Sequence, residues 1–231
     1  MVSSKKIIFT LLLIVGLVIL IGLHYVLSIN PLIISLILLL IVIAVFVIRF
    51  ERRNVSGREL VLLAVLSAIA AVSRIPFATL PSVQPTTFIV IMTGSVFGAE
   101  SGLVVGMMAA LVSNLFLGQG PWTPWQMLGW GMIGLASGAL RKTWLMKTLW
   151  GRCIFGVLAG FIFGWIMNVW ALLGLSGQID IQQILAYYGL SFYFDAAHAI
   201  SNLFFMIVFS KAWMKILQRF KRKYGFLSLS E

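Results

Sequence analysis

Acidic residues, histidine and cysteine are scarce in this chain of 231 residues, which contains 6 Asp and Glu, 2 His and 1 Cys. The single cysteine, Cys153, excludes an internal disulfide and any metal site built from several cysteines. So few acids leave little for acid–base catalysis, and the motifs of zinc peptidases, serine hydrolases and P-loop enzymes are missing. We therefore expect no enzyme, no metal, no cofactor and no ATP site in this chain.

Charged residues of either sign are also rare. They make up 10% of the chain, whereas hydrophobic residues make up 61% and the mean hydropathy is +1.07. Soluble domains carry about 25% charged residues, so the composition indicates an integral membrane protein. The net charge of +11 comes from short basic clusters between apolar runs. Such clusters are typical of cytoplasmic loops that contact membrane lipid, and we expect no nucleic-acid binding.

Long apolar runs predict an all-α, polytopic membrane protein. The basic stretch from Arg49 to Glu59 separates an N-terminal hairpin, residues 1–50, from a six-helix core, residues 57–216, and a basic tail follows at 217–231. The predicted membrane segments cover about residues 7–27, 32–48, 59–77, 87–98, 101–117, 126–140, 152–174 and 192–214.

The basic residues predict the orientation. If Lys5 and Lys6 lie inside and the number of segments is even, all but one of the 17 Lys and Arg residues fall on the cytoplasmic side, as the positive-inside rule requires. The exception is Arg74. We therefore expect a multi-pass protein of the cell membrane with both termini in the cytoplasm. Its outer connections would lie around residues 28–31, 78–86, 118–125 and 176–191.

The third of these outer connections has an unusual composition. The stretch LGQGPWTPWQMLGWG, residues 117–131, combines glycine and proline with Trp122, Trp125 and Trp130. Tryptophan is common at the level of the lipid headgroups, which is the simple alternative for each of the three. Because proline stiffens a loop and glycine permits close approach, the stretch also suits a lid over a binding site.

Polar side chains inside apolar segments indicate a cavity or a helix partner. Asp195, His198 and Asn202 have the i, i+3, i+7 spacing of one helix face. Arg74 lies near the outer end of its segment, so we expect it to pair with Asp195 across one cavity; an ion pair that only locks two helices is the alternative. We expect a small-molecule site there, formed by Arg74, Gln84, Thr86, Asn114, Trp122, Trp125, Trp130, Asn168, Asp195, His198 and Asn202.

A stripe of small residues marks the third segment. Ala64 and Ala68 are four residues apart, as are Ser67 and Ala71. In lipid, this spacing lets another helix approach closely, although alanine is common in membrane helices generally. We expect these residues to face a membrane protein partner.

Two runs carry a resemblance to a known family. GRELVLLAVLSAIAAVSRIPF at residues 57–77, and the run from PTTF at residue 85 to SGAL at residue 140, resemble the substrate-binding S components of energy-coupling factor (ECF) vitamin transporters. The resemblance covers about Gly57 to Lys215. It implies a six-helix bacterial membrane protein that binds a vitamin from outside. It also implies docking through Ala64 and Ala68, its AxxxA motif, on a membrane scaffold protein that carries two ATPase subunits. The N-terminal hairpin is extra to the family's pattern.

The sequence allows several ligands and several alternative functions. Few ionisable groups and many tryptophans favour a large neutral or zwitterionic ligand over a phosphate compound. By resemblance, cobalamin is the first candidate, followed by riboflavin and a queuosine precursor. Other functions stay open: a membrane enzyme that uses Asp195 and His198 as an acid–base pair, a solitary ion-coupled carrier, or a non-transporting anchoring protein. Catalysis by the isolated chain would indicate the first, and uptake without ATPases the second.

Overall fold

The computed structural model describes residues 30–51, 56–175 and 180–224, together with Gly22. The first predicted membrane segment otherwise lies outside these ranges. Every regular element within them is helical, which confirms the all-α prediction. The helices are α1 (Pro31–Glu51), α2 (Gly57–Val72), α3 (Thr86–Phe97), α4 (Ala99–Leu117), α5 (Thr123–Ala139), α6 (Trp144–Lys147), α7 (Leu149–Leu173) and α8 (Ile181–Tyr224), with a 3-10 turn at Ile75–Phe77.

Several of these helices are long and apolar enough to cross a membrane. In the described part of the chain they are Gly57–Phe77, Ala99–Leu117, Leu149–Leu173 and Ile181–Lys223, and the shorter apolar stretches are Pro31–Ile41 and Thr86–Phe97. Each falls on a predicted segment. The chain is therefore a membrane protein with several spanning helices, while the division into a hairpin and a six-helix core stays a prediction.

The last helix is longer than predicted. Residues 176–191 were expected to form an outer connection, but α8 comprises 44 residues and begins at Ile181. Asp180 caps it, since its carboxylate accepts the Gln183 N–H at 2.7 Å. At 1.5 Å per residue α8 is about 66 Å long, more than twice the ~30 Å of a bilayer core. It also continues without a break past residue 216 into the predicted tail.

Close packing of helix backbones organises the core. α3 lies at the centre, where every residue except Ser95 is buried, which explains a sequence that is apolar on all sides. α4 and α5 meet at Gly102 and Gly134: a Cβ on either glycine would overlap the backbone of the other. Gly160 of α7 also lies close to the backbone of α8, where a Cβ would come within 2.7 Å of the Ala199 nitrogen. Small residues at such crossings are the usual way for helices to associate in lipid.

The outer stretch rich in tryptophan is mostly helix rather than loop. α5 begins at Thr123, so Trp125 and Trp130 belong to it, and both indoles are fully buried. Only Trp122 fits the predicted position at the surface, with 37% of its area exposed. The structure therefore limits the predicted lid to the short connection before Thr123, and the buried indoles of Trp125 and Trp130 do not face lipid headgroups.

Trp125 attaches the N-terminal region to the core. Its indole N–H donates to the Ser35 hydroxyl of α1 at 3.2 Å, and Ile34 and Leu38 of α1 are buried on either side of that serine. Helix α1 thus packs on α5 rather than lying apart from the core.

We expect Trp125→Phe to lower the free energy of unfolding by about 1 kcal/mol, the usual value of one hydrogen bond between membrane helices. The phenyl ring keeps most of the packing but leaves the Ser35 hydroxyl without its donor. Thermal unfolding in detergent measures the effect. Trp122→Phe is the matched control, because that indole makes no hydrogen bond within the described ranges. An equal loss in both variants would contradict the assigned role of the Ser35 contact.

Candidate functional site

A cavity of about 380 Å³ lies between α7 and α8, next to the connection that joins α2 to α3. The lining residues of each helix recur three or four positions apart, so that they share one face of that helix and face the cavity together. It contains four of the predicted site residues, Gln84, Asn168, Asp195 and His198. The other lining residues are Ser82, Phe163, Gly164, Met167, Tyr187, Leu190, Ser191 and Phe194.

A short chain of polar groups crosses the cavity from α7 to α8. The Asn168 amide donates to the Ser191 hydroxyl at 2.6 Å. That hydroxyl lies 3.1 Å from the Tyr188 carbonyl and 3.4 Å from Oδ2 of Asp195. The other carboxylate oxygen lies against α7 at Gly164, where a Cβ would overlap it. Glycine at position 164 therefore makes room for the Asp195 carboxylate.

The imidazole of His198 is held on two sides. Its Nε2 lies 2.8 Å from the Thr87 hydroxyl, which also accepts the indole N–H of Trp130 at 2.9 Å. Because an indole can only donate, the Thr87 proton is free to donate to Nε2. The ring packs edge-on against Phe163, with 5.2 Å between centroids. His198 is 3% exposed, so these contacts fix its orientation at the cavity wall.

Arg74 does not pair with Asp195. Its Nε donates to Oε1 of Gln84 at 2.9 Å, and its Nη1 donates to the Ser113 hydroxyl and to Oδ1 of Asn114 at 3.0 Å. The predicted ion pair is therefore wrong: Arg74 reaches α4 from the turn after α2 and binds neutral acceptors there.

Aromatic rings separate the guanidinium from the cavity. The guanidinium carbon lies 4.9 Å from the centroid of the Trp130 ring, and Trp130 stacks on Phe163 at 4.5 Å. Phe163 in turn lines the cavity. Trp130 therefore stands behind the cavity wall rather than in it, and the hydrogen bond of Arg74 to a described lining residue is the one to Gln84.

The other predicted site residues lie away from the lining. The Asn114 amide donates to Thr123 and Gln126, and Thr86 donates to the Ala70 carbonyl at 3.0 Å. Asn202 donates to the Gly156 carbonyl at 2.9 Å. These groups join helices to one another, as does Trp125 at α1, whereas Trp122 lies at the surface just before α5.

Most of the missed lining residues are apolar or lie in the segment predicted as a loop. Extending the face of Asp195 and His198 towards the start of α8 leads to Ser191 and Tyr187, at i−4 and i−8 from Asp195. This helical spacing was the available signal. Phe163 and Met167 carry no such signal, since apolar residues are expected everywhere in a membrane helix.

The stripe of small residues on α2 divides into two faces. Ala64 and Ala68 are exposed beside Val61 and Val65. Ser67 and Ala71 are buried against the rest of the bundle, with 5% and 0% exposure. Only the two alanines are thus available on the surface. In the same described ranges, no group of three or more His, Cys, Asp or Glu residues is placed to hold a metal ion.

Comparison with known proteins gives the family. Residues 58–220 match the model of the ECF transporter, substrate-specific component. A UPF0397 protein of Aliivibrio fischeri (strain MJ11) is 27% identical over 125 residues, which cover 48% of this chain and 68% of the relative. A UPF0397 protein of Vibrio atlanticus (strain LGP32) is 28% identical over 90 residues, which cover 37% of this chain and 49% of the relative. No solved structure matches the chain significantly. Because the family model covers more than half of the chain and the fold is helical and apolar, the protein belongs to the family of ECF transporter substrate-specific components.

Proposed function

We propose that this chain is the membrane-embedded substrate-binding subunit of an ECF-type importer. It captures a small vitamin or vitamin precursor from outside and delivers it inward together with a scaffold protein and two ATPases, which alone use ATP. The observation that carries the proposal is a cavity with polar groups at Gln84, Asn168, Asp195 and His198, inside the part of the chain that matches the family. In the predicted topology, the cavity opens near the outer surface of the cell membrane and both termini are cytoplasmic.

The size of the cavity favours a ligand smaller than cobalamin. A volume of about 380 Å³ lies at the low end of the roughly 300–1,000 Å³ found for drug-sized ligands. A corrin ring with its amide arms and nucleotide loop is several times larger than such a ligand. We therefore rank a vitamin with one or two rings, or its precursor, above cobalamin, in contrast to the order that the sequence resemblance favours.

The docking surface for the scaffold would be the exposed face of α2. Ala64 and Ala68 present a shallow surface between the larger side chains of Val61 and Val65, and small residues let a partner helix approach closely in lipid. Ser67 and Ala71 would support that face from within rather than contact the partner, because both are buried.

The enzyme alternative is less well supported. An acid–base pair would need the imidazole of His198 free to exchange protons with a substrate, whereas its Nε2 is bound to Thr87 and its ring packs on Phe163. Members of the family are also non-enzymatic in general.

Two measurements test the proposed function. First, the chain is purified in detergent and denatured, and any released small molecule is identified by mass spectrometry; we expect a vitamin-sized compound. Second, uptake of that compound is measured in cells that express the chain with or without the scaffold and ATPases. We expect uptake only with the complete set. Uptake that persists after the ATPases are inactivated would indicate a solitary carrier instead, and conversion of the compound by the isolated chain would indicate an enzyme.

A further inference from the structure

We propose that the cavity between α7 and α8 binds its ligand through a positively charged group, a protonated amine or a ring cation, held by the carboxylate of Asp195. This inference rests on the proposed function, because it names the chemical class of the molecule captured at that site.

The carboxylate of Asp195 has no cationic partner within the described residues. It is 5% exposed and receives a single long hydrogen bond, 3.4 Å from the Ser191 hydroxyl. An ionised carboxylate has about four acceptor positions, and an unpaired charge among membrane helices is costly. The Asp195 carboxylate therefore lacks a positively charged hydrogen-bond donor. A cationic group of a ligand in the adjoining cavity can supply it.

The rest of the lining also favours a positively charged ligand. None of the lining residues is Lys or Arg, so an anionic group would find no opposite charge there. Arg74, which adjoins the lining at Gln84, is engaged by Gln84, Ser113 and Asn114. Phe163, Tyr187 and Phe194 add aromatic rings to the wall, and such rings stabilise organic cations.

The positions of Gly164 and Asn168 fit this role. Glycine at 164 lets the carboxylate lie against α7 beside the cavity. The Asn168 amide uses one N–H on Ser191, which leaves its oxygen available to a polar group of the ligand. A charged end of the ligand would thus meet Asp195, and the remainder would lie among apolar and aromatic side chains.

Three probes with the same indole ring test the charge preference: tryptamine, which is protonated at neutral pH, tryptophol, which has a hydroxyl in its place, and indole-3-acetate, which is anionic. Binding to the purified full chain is measured by equilibrium dialysis and by the shift in unfolding temperature. We expect tryptamine to bind roughly ten- to a hundredfold more tightly than tryptophol, as for one hydrogen bond to a charged group. Indole-3-acetate should bind most weakly.

Asp195→Asn should remove the preference for tryptamine, since it keeps the shape and loses the charge. Asp180→Asn is the matched control: it makes the same chemical change at the exposed cap of the same helix, outside the cavity, and the preference should persist. Gly164→Ala is a second test that keeps the carboxylate. Its Cβ would displace the Asp195 side chain, so tryptamine should bind more weakly although the net charge is unchanged.

The proposal is overturned if tryptamine does not bind, if tryptophol or indole-3-acetate binds as tightly, or if Asp195→Asn keeps the preference. A carboxylate that is protonated, or that serves only to pack α7 on α8, would give the last result. Each of these outcomes leaves the proposed function standing, because uptake with the scaffold and ATPases is measured separately. Conversely, uptake that does not need those partners would remove the proposed function without altering the preference for tryptamine.

Discussion

Ala64→Trp is expected to abolish uptake while leaving small-molecule binding to the purified chain unchanged. Ala64 is exposed on α2, about two turns from the helix start at Gly57, whereas the cavity lies between α7 and α8. An indole at position 64 would prevent close approach of a partner helix without touching the ligand. Uptake falls to background, and the dissociation constant measured in detergent stays within about twofold, well below the tenfold that corresponds to 1.4 kcal/mol.

Ala212→Trp is the matched control, since Ala212 is exposed on α8 and in the predicted topology lies in the same cytoplasmic half of the membrane. It should retain uptake. Equal loss of binding and uptake in Ala64→Trp would count against the separation of the docking surface from the ligand site. Retained uptake in Ala64→Trp would refute the assignment of the α2 face. Co-purification of the scaffold with each variant separates loss of docking from loss of a later step.

The helical architecture could be predicted from the sequence because its signal is local. A stretch of apolar residues long enough to cross a bilayer has few alternatives to a helix, and each predicted segment within the described ranges coincides with one. The ends of α8 could not be predicted in this way. Gly189 and the two glutamines after Asp180, Gln182 and Gln183, resemble a loop, but in the structure they belong to a helix that extends beyond the apolar stretch.

The site could be predicted only in part, because helical spacing is a local signal and contacts between helices are not. Helical spacing placed Asp195 and His198 on one face, and the structure places both at the cavity. Spacing along one helix does not reveal which neighbouring helix it faces. Arg74 was paired with Asp195 because both lie towards the outer side in the predicted topology, although three neutral acceptors from other elements surround Arg74. The apolar lining residues were invisible because they resemble any lipid-facing residue.

The close backbone packing could have been suspected from the sequence but not located. Glycines are frequent throughout residues 94–138, and small residues mark helix contacts in membranes. Which glycines meet depends on the crossing point of α4 and α5. Gly102 and Gly134 occupy that point, where each contacts the other's backbone, whereas Gly131 faces the side chain of Met107. At Gly102 and Gly134 a larger residue would meet backbone, which cannot move aside as the Met107 side chain near Gly131 can.

Gly134→Ala is expected to destabilise the chain by about 3 kcal/mol or more, at the upper end of the range for overpacked cores. A methyl group at position 134 would overlap the carbonyl of Gly102, and a backbone carbonyl cannot rotate aside as a side chain can. The two helices must separate, which also disturbs α3 beneath them and Trp130 four residues earlier on α5. The variant should unfold at a markedly lower temperature in detergent and yield a smaller monodisperse fraction.

Gly156→Ala provides the matched control, because it is the same substitution on another packed helix. Its Cβ would lie 3.4 Å from Cγ of Met206 and 3.5 Å from Cβ of Asn202, which are ordinary contacts. Alanine also favours the helix by about 1 kcal/mol over glycine, so this variant should be as stable as the natural chain or slightly more so. The contrast separates close packing from helix propensity, since propensity alone would stabilise both variants. If Gly134→Ala proves as stable as Gly156→Ala, then α4 and α5 do not cross at Gly102 and Gly134.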